Sequence, residues 1–71
     1  MYKVMVLHYG KQPQAMDGGE FNNKPDAERY LQQQATIMQG YKKRTGWVEG
    51  HFCVFGAQDT VRIRMYIRES K

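Results

Sequence analysis

The chain has 71 residues, among them 11 Lys or Arg and 7 Asp or Glu, which gives a formal net charge of +4 at pH 7. This length corresponds to a single domain over residues 1–71, and a domain so small buries only about 60% of the surface that its unfolded chain exposes. An enclosed active-site cavity of ordinary size is therefore not expected, and any ligand should bind on an outer surface.

The apolar content separates this chain from disordered and membrane-spanning proteins. Apolar residues make up 41% of the sequence and aromatic residues 13%, more than a disordered chain carries, so the chain should fold. The longest apolar run, Val4–Leu7, is far shorter than the roughly 20 residues needed to cross a bilayer. The N-terminal region also lacks the apolar core of a secretory signal. We therefore expect a cytoplasmic protein with no membrane partner.

Cysteine and histidine are too few for the usual covalent or metal supports of a small domain. One thiol, Cys53, forms no internal disulfide, and with only His8 and His51 beside it a structural zinc site within one chain is not expected. No metal or cofactor is predicted. Small domains without such supports commonly gain burial by self-association, so we expect a homo-oligomer, with a dimer favoured.

The first predicted element is a strand over residues 2–9. Nearly every residue in it is apolar or aromatic, with β-branched Val4 and Val6, and the run ends at Gly10 and Pro13. Its density predicts burial on both faces.

Residues 10–19 are predicted to form an exposed loop. They are rich in turn-forming residues and show no periodicity. Glu20 and Phe21 fit a brief return strand, and Phe21 is expected to pack into the core just before the helix begins.

A helix is predicted to start at Asn23, which suits the N-cap, with Pro25 in the first turn and Asp26 near the positive helix end. Apolar residues then recur at helical spacing and form a stripe expected to pack on a sheet. The stripe comprises Ala27, Leu31, Ala35, Met38 and Tyr41, widened by Tyr30 and Ile37. Two ends are possible: the helix stops at Gly40, or it continues until Gly46, since cations suit a helix C-terminus.

The second predicted strand covers residues 47–55. Alternation assigns one face to Trp47, Glu49, His51, Cys53 and Phe55 and the inner face to Val48, Gly50, Phe52 and Val54.

The last predicted strand covers residues 60–68, after a short hairpin loop at 56–59. Its alternation is the clearest in the chain. Val61, Ile63, Met65 and Ile67 are assigned inward, and Arg62, Arg64, Tyr66 and Arg68 outward.

These elements predict an α+β fold of β-α-β-β order. The sheet is mostly antiparallel and three-stranded, or four-stranded if a strand forms near Phe21, with one helix packed on one face. The first and second strands would run parallel in a shared sheet, with the third antiparallel to its neighbours. Because one helix covers only one side of a sheet, the other face should be open.

The open face is expected to combine basic, aromatic and apolar side chains. Its predicted members are Arg62, Arg64, Tyr66, Arg68, Trp47, His51, Cys53, Phe55, Lys3, Met5, Leu7 and Tyr9. Guanidinium groups two positions apart on a strand lie about 6.6–6.8 Å from each other, and aromatic rings offer flat faces on which bases stack. This pattern favours a phosphate-bearing ligand, either single-stranded nucleic acid or a nucleotide.

The excess positive charge belongs to the C-terminal part of the chain. Residues 1–41 contain four cations and four anions, whereas residues 42–71 contain seven cations and three anions. Such clustering draws anionic partners.

Two sets of candidate site residues follow. The ligand-binding set is Arg62, Arg64, Arg68, Tyr66, Trp47, Lys42, Lys43 and Arg44. The interface set is Met5, Leu7, Tyr9 and Phe55, which would form an apolar patch that should not stay wet. Two other readings remain open: the arginines are a solvated face that protects an edge strand, and residues 42–44 only neutralise the end of the helix.

Catalysis is not expected. His51 and Cys53 lie two positions apart on one predicted strand, a spacing that lets an imidazole activate a thiol, but no third group is placed to orient the histidine. Residues 42–46 also lack the Gly-Lys-Ser/Thr pattern of a nucleotide-hydrolysing loop.

The sequence thus predicts a small, basic, self-associating protein that binds a phosphate-bearing ligand and is not an enzyme. The alternative is a protein-interaction or inhibitor module, of the kind that phages and mobile elements direct against a host protein, suggested by small size and an exposed apolar face.

Overall fold

The computed structural model of the protein describes residues 1–42 and 44–70. Lys43, a predicted ligand-binding residue, lies outside the described residues. The elements are β1 (Tyr2–His8), β2 (Gln14–Phe21), α1 (Lys24–Gln39), β3 (Thr45–Val48), β4 (His51–Phe55) and β5 (Val61–Glu69), with a short 3-10 turn (Ala57–Asp59) between β4 and β5.

Within the described chain, five strands form one antiparallel sheet in the order β2-β1-β5-β4-β3. The predicted α+β class is confirmed, and β5 is antiparallel to both of its neighbours, β1 and β4, as expected. The predicted count of three or four strands is wrong, for two local reasons.

The first reason is β2, which occupies much of the predicted loop. Its register with β1 is irregular, because Lys3 pairs with Glu20 whereas Met5 pairs with Ala15. The extra residues form a bulge containing Gly18, which has a φ of 74°. A bulged edge strand rich in glycine lacks the alternating apolar residues that identify a strand in a sequence.

The second reason is a tight turn inside the predicted second strand. Glu49 and Gly50 have φ values of 51° and 81°, and two consecutive residues with positive φ are the mark of a two-residue hairpin turn. Val48 therefore pairs with His51 and Trp47 with Phe52. Because directly paired residues share a face, the expectation that Trp47 lies on the open face is wrong.

Helix α1 begins after Asn23, as predicted, and ends at Gly40, the earlier of the two predicted ends. The Asn23 side chain accepts a hydrogen bond from the backbone N–H of Asp26 at 3.0 Å, and Gly40 is the C-cap. The helix packs across β1, β2 and β5. Ile37 and Tyr41, assigned to the apolar stripe, are exposed instead, because Tyr41 follows the end of the helix and Ile37 lies off its buried side.

The core lies between the helix and one face of the sheet. Its buried members are Val4, Ala27, Leu31, Ala35, Phe52, Val54 and Met65. Phe21 packs against this cluster, as predicted, and its ring contacts Tyr30 with centroids 5.5 Å apart. Among residues 1–42 and 44–70, no helix has the length and apolar character needed to cross a bilayer.

Candidate functional site

The arginine-bearing strand is the central strand of the sheet. Because β5 lies between β1 and β4, the interpretation of its arginines as protection for an edge strand is wrong. Arg64 pairs with Leu7 on one side and Cys53 on the other. Arg64 is next to the buried core residue Met65 in β5, and successive strand residues point to opposite faces of a sheet. Arg64 and its two partners therefore lie on the face away from the helix.

The cations of β5 have no carboxylate partner among residues 1–42 and 44–70. The described chain has three ion pairs, Lys3 with Glu20, Arg29 with Asp26 and Arg44 with Asp59. Within this part of the chain, no carboxylate oxygen lies within 4.0 Å of the guanidinium groups of Arg62, Arg64 or Arg68. These charges are therefore available to an external anion.

A cleft of about 290 Å³ lies where β1 ends. Its lining residues are Leu7, His8, Tyr9, Gly10, Lys11, Val61 and Arg64. Gly10, with a φ of 76°, turns the chain at this point, and the backbone N–H of Lys11 donates to the His8 carbonyl oxygen at 2.9 Å. The cleft thus combines two cationic residues, an aromatic ring and apolar side chains.

Arg62 is held over the ring of Tyr9. The guanidinium carbon lies 5.1 Å from the ring centroid, and the Tyr9 N–H donates to the Arg62 carbonyl oxygen at 2.8 Å. The pairing of β4 with β5 shifts by one residue here, since Phe55 pairs with Val61. Bulges of this kind re-aim a side chain, and this one accompanies a cation–π contact.

The remaining predicted aromatic residues are less suited to stacking on a base. Tyr66 is flanked on one side by the His51 ring, with centroids 4.9 Å apart, and on the other by its strand partner Met5. Trp47 packs edge-on against Phe52 on the helix side of the sheet, at 5.3 Å. Tyr9, assigned from the sequence to the interface set, is 64% exposed and lines the cleft, with the Arg62 guanidinium over one face of its ring.

The apolar patch expected on the open face is smaller than its sequence suggests. Met5 is only 4% exposed and Cys53 is fully buried, although both lie away from the helix. Met5 is paired across the sheet with Tyr66 and Cys53 with Arg64, while Leu7 and Phe55 are half-buried. The buried members offer little area to a partner.

The thiol beside His51 is inaccessible. The Cys53 Sγ lies 3.8 Å from the carbonyl oxygen of His51, to which it donates. Among the residues described, no group of three or more His, Cys, Asp or Glu side chains is arranged to hold a metal ion.

Lys42 and Arg44, the described members of the basic run after the helix, do not line the cleft. Arg44 pairs with Asp59, and the Lys42 Nζ lies over the ring of Tyr41, 5.6 Å from its centroid. Neither residue lines the cleft, and both follow the end of α1 at Gln39.

Comparison of the chain with protein-family models, with curated protein sequences and with solved structures finds no match.

Proposed function

We propose that this protein binds a phosphate-bearing ligand, either single-stranded nucleic acid or a nucleotide, on the open face of its sheet, with Arg64 as the principal anion contact. The observation that supports this most directly is that Arg64 is half-buried, lines the cleft and has no carboxylate within 4.0 Å in the described chain. A partly desolvated charge without a partner is costly. A phosphate offers the guanidinium two parallel charge-assisted hydrogen bonds.

The surroundings of Arg64 favour a ligand that carries a base as well as a phosphate. Tyr9 presents an exposed ring at the rim, while Leu7 and Val61 add apolar surface. Aromatic rings stack on bases, and cations nearby contact the backbone. The cleft volume of about 290 Å³ is near the lower limit of small-molecule pockets, so it suits one nucleotide unit.

A second positive area lies further along β5. Arg68 pairs across the sheet with Lys3, four positions from Arg64, which corresponds to about 13 Å along a strand. A single nucleotide in the cleft would not reach it, whereas a longer strand would. A nucleotide and a single-stranded nucleic acid both carry phosphates and bases, and they differ in length.

Charge argues against pairing of two copies through this face. Lys3, Arg64 and Arg68 project from it, and among the strand residues described only one carboxylate, Glu20, is registered beside them. Two such faces would repel each other. A protein partner on this surface would have to be acidic, which makes it the rival outcome of a binding experiment.

The test is fluorescence anisotropy with a labelled oligothymidylate of about 12 nucleotides in about 50 mM salt. The wild type is compared with Arg64→Gln and with Arg29→Gln, a control that removes the same charge from the exposed side of the helix. We expect Arg64→Gln to weaken binding about tenfold, since charge-assisted hydrogen bonds are lost. Arg29→Gln should change it less than twofold.

Competition separates the two ligand sources. If a nucleotide is the ligand, AMP should displace the oligonucleotide at similar concentration, and affinity should not grow with length. If nucleic acid is the ligand, affinity should rise with length and fall steeply between about 50 and 200 mM salt. Equal weakening by both variants, or no binding of either probe, would contradict the proposal.

A further inference from the structure

The edge strand β3 presents unused backbone hydrogen-bonding groups. The N–H of Phe55 donates to the carbonyl oxygen of Arg44 at 2.9 Å, and antiparallel pairs alternate between bonded and non-bonded positions. In the register that pairs Thr45 with Val54 and Trp47 with Phe52, residues 44, 46 and 48 therefore bond to β4. Thr45 and Trp47 direct their N–H and C=O groups away from it.

The opposite edge of the sheet is not equivalent. The register of β2 shifts where Lys3 pairs with Glu20 and Met5 with Ala15, and bulged edges resist further pairing. The register of β3 is continuous over its four residues. Its side chains include Trp47 and Val48, each 44% exposed, so β3 is the edge on which another strand can add.

Only one two-fold register uses every outward group of β3. With Gly46 of two copies facing each other at the axis, Thr45 of each copy lies opposite Trp47 of the other. Each of these pairs exchanges two hydrogen bonds, four in all. Gly46 suits the axis because non-bonded pairs bring backbones to within about 4.5 Å, and it carries no side chain.

The charges along the β3 edge of one copy are complementary to those of a second copy paired antiparallel to it. Arg44, which also pairs with Asp59 of its own chain, lies just before β3 and Glu49 just after it, and both are exposed. Antiparallel pairing centred on Gly46 places Arg44 opposite Val48 and beside Glu49 of the second copy. Opposite charges meet in this arrangement, whereas parallel pairing would bring like charges together.

We propose that the occupant of the β3 edge is a second copy of this chain, paired antiparallel about Gly46. The two sheets then form one ten-stranded sheet with both helices on the same side. The open faces join into a continuous basic surface without facing each other, which avoids the repulsion described above.

The test uses two opposite charges at one position. Val48→Lys introduces a cation opposite Arg44 of the second copy and should raise the dimer dissociation constant about tenfold, whereas Val48→Glu should lower it. Ala15→Lys adds the same cation to the same face at the β2 edge and should leave dimerisation unchanged. Light scattering between about 10 µM and 1 mM reports the mass, 8.4 kDa for one chain, and circular dichroism confirms folding.

Hydrogen exchange provides an independent readout. In the dimer, the N–H groups of Thr45 and Trp47 should be protected, and this protection should disappear on dilution. A wild type that stays monomeric at about 1 mM would overturn the inference, as would equal effects of Val48→Lys and Val48→Glu. Dimerisation abolished by Ala15→Lys would also overturn it, because the contact would then lie at β2.

Discussion

Arg62 and Gly56 show how one small residue sets the position of a functional side chain. A Cβ added at Gly56 would lie 2.6 Å from the Arg62 Cγ and 2.8 Å from its Cδ, so the arginine stem occupies the space that a larger residue would need. The same stem carries the guanidinium over Tyr9, at 5.1 Å from the ring. Gly56 therefore supports the aromatic rim of the cleft.

Gly56→Ala should displace Arg62 and lower the free energy of unfolding by about 1 kcal/mol, through crowding and loss of the cation–π contact. In an Arg62→Ala background the same change should be neutral or slightly stabilising, because a φ of −106° at Gly56 suits alanine and the unfolded chain loses freedom. Urea unfolding of the wild type, the two single variants and the double variant measures this coupling. Additive effects would show that the two residues do not compete for space.

For single residues, the sequence predicted the face to which a side chain points better than it predicted how deeply that side chain is buried. The alternation from Val61 to Arg68 correctly indicated that Arg64 points away from the helix. It could not indicate that Met5 and Cys53 are buried on that same open face. Their burial depends on which side chains stand beside them across the sheet, and that depends on strand order.

The hairpin of β3 and β4 is the element that most changes the predicted site. Its turn places Glu49, a residue with a side chain, at a φ of 51°, where glycine and asparagine are favoured. Because apolar residues continue on both sides of the turn, the sequence pattern resembles that of one long strand. The parity of the faces changes at the turn, which removes Trp47 from the open face.

Glu49→Asn should raise the free energy of unfolding by about 0.5–1 kcal/mol, since Asn-Gly is the preferred pair in a turn of this type. Glu49→Gln removes the same charge without the short side chain that suits positive φ, and it should bring no such gain. Thermal and urea unfolding at a concentration where the chain is monomeric measure both variants. Equal stabilisation by Asn and Gln would mean that charge, and not backbone conformation, is responsible.

The helix was the most predictable element, and β2 the least. Asn23 and Gly40 bound the helix with local chemistry that is visible in the sequence. Strand β2 is held by pairing with β1 and by the approach of Gly19 to Val4, whose Cβ would lie 3.2 Å from an added Cβ. Those contacts join residues that are distant in the sequence, so no local sequence pattern predicts them.

In the whole molecule, the order of the strands is the feature on which the proposed function depends. Because β5 is central, its arginines, which have no carboxylate partner among the described residues, lie in the middle of the open face and not at an edge. Arg64 and Arg68 are thereby presented on a surface with an open cleft. Neither the strand order nor the cleft follows from sequence periodicity, since both arise from pairing between distant segments.

The most direct test of ligand binding at the open face is a titration followed by 1H–15N NMR with the oligothymidylate of about 12 nucleotides in about 50 mM salt. The largest shift changes are expected at Leu7, Tyr9, Lys11 and Arg64 around the cleft, and Gln33 on the outer side of the helix should stay unchanged. Shift changes concentrated on the helix, or none at all, would contradict the claim that the open sheet face is the binding surface.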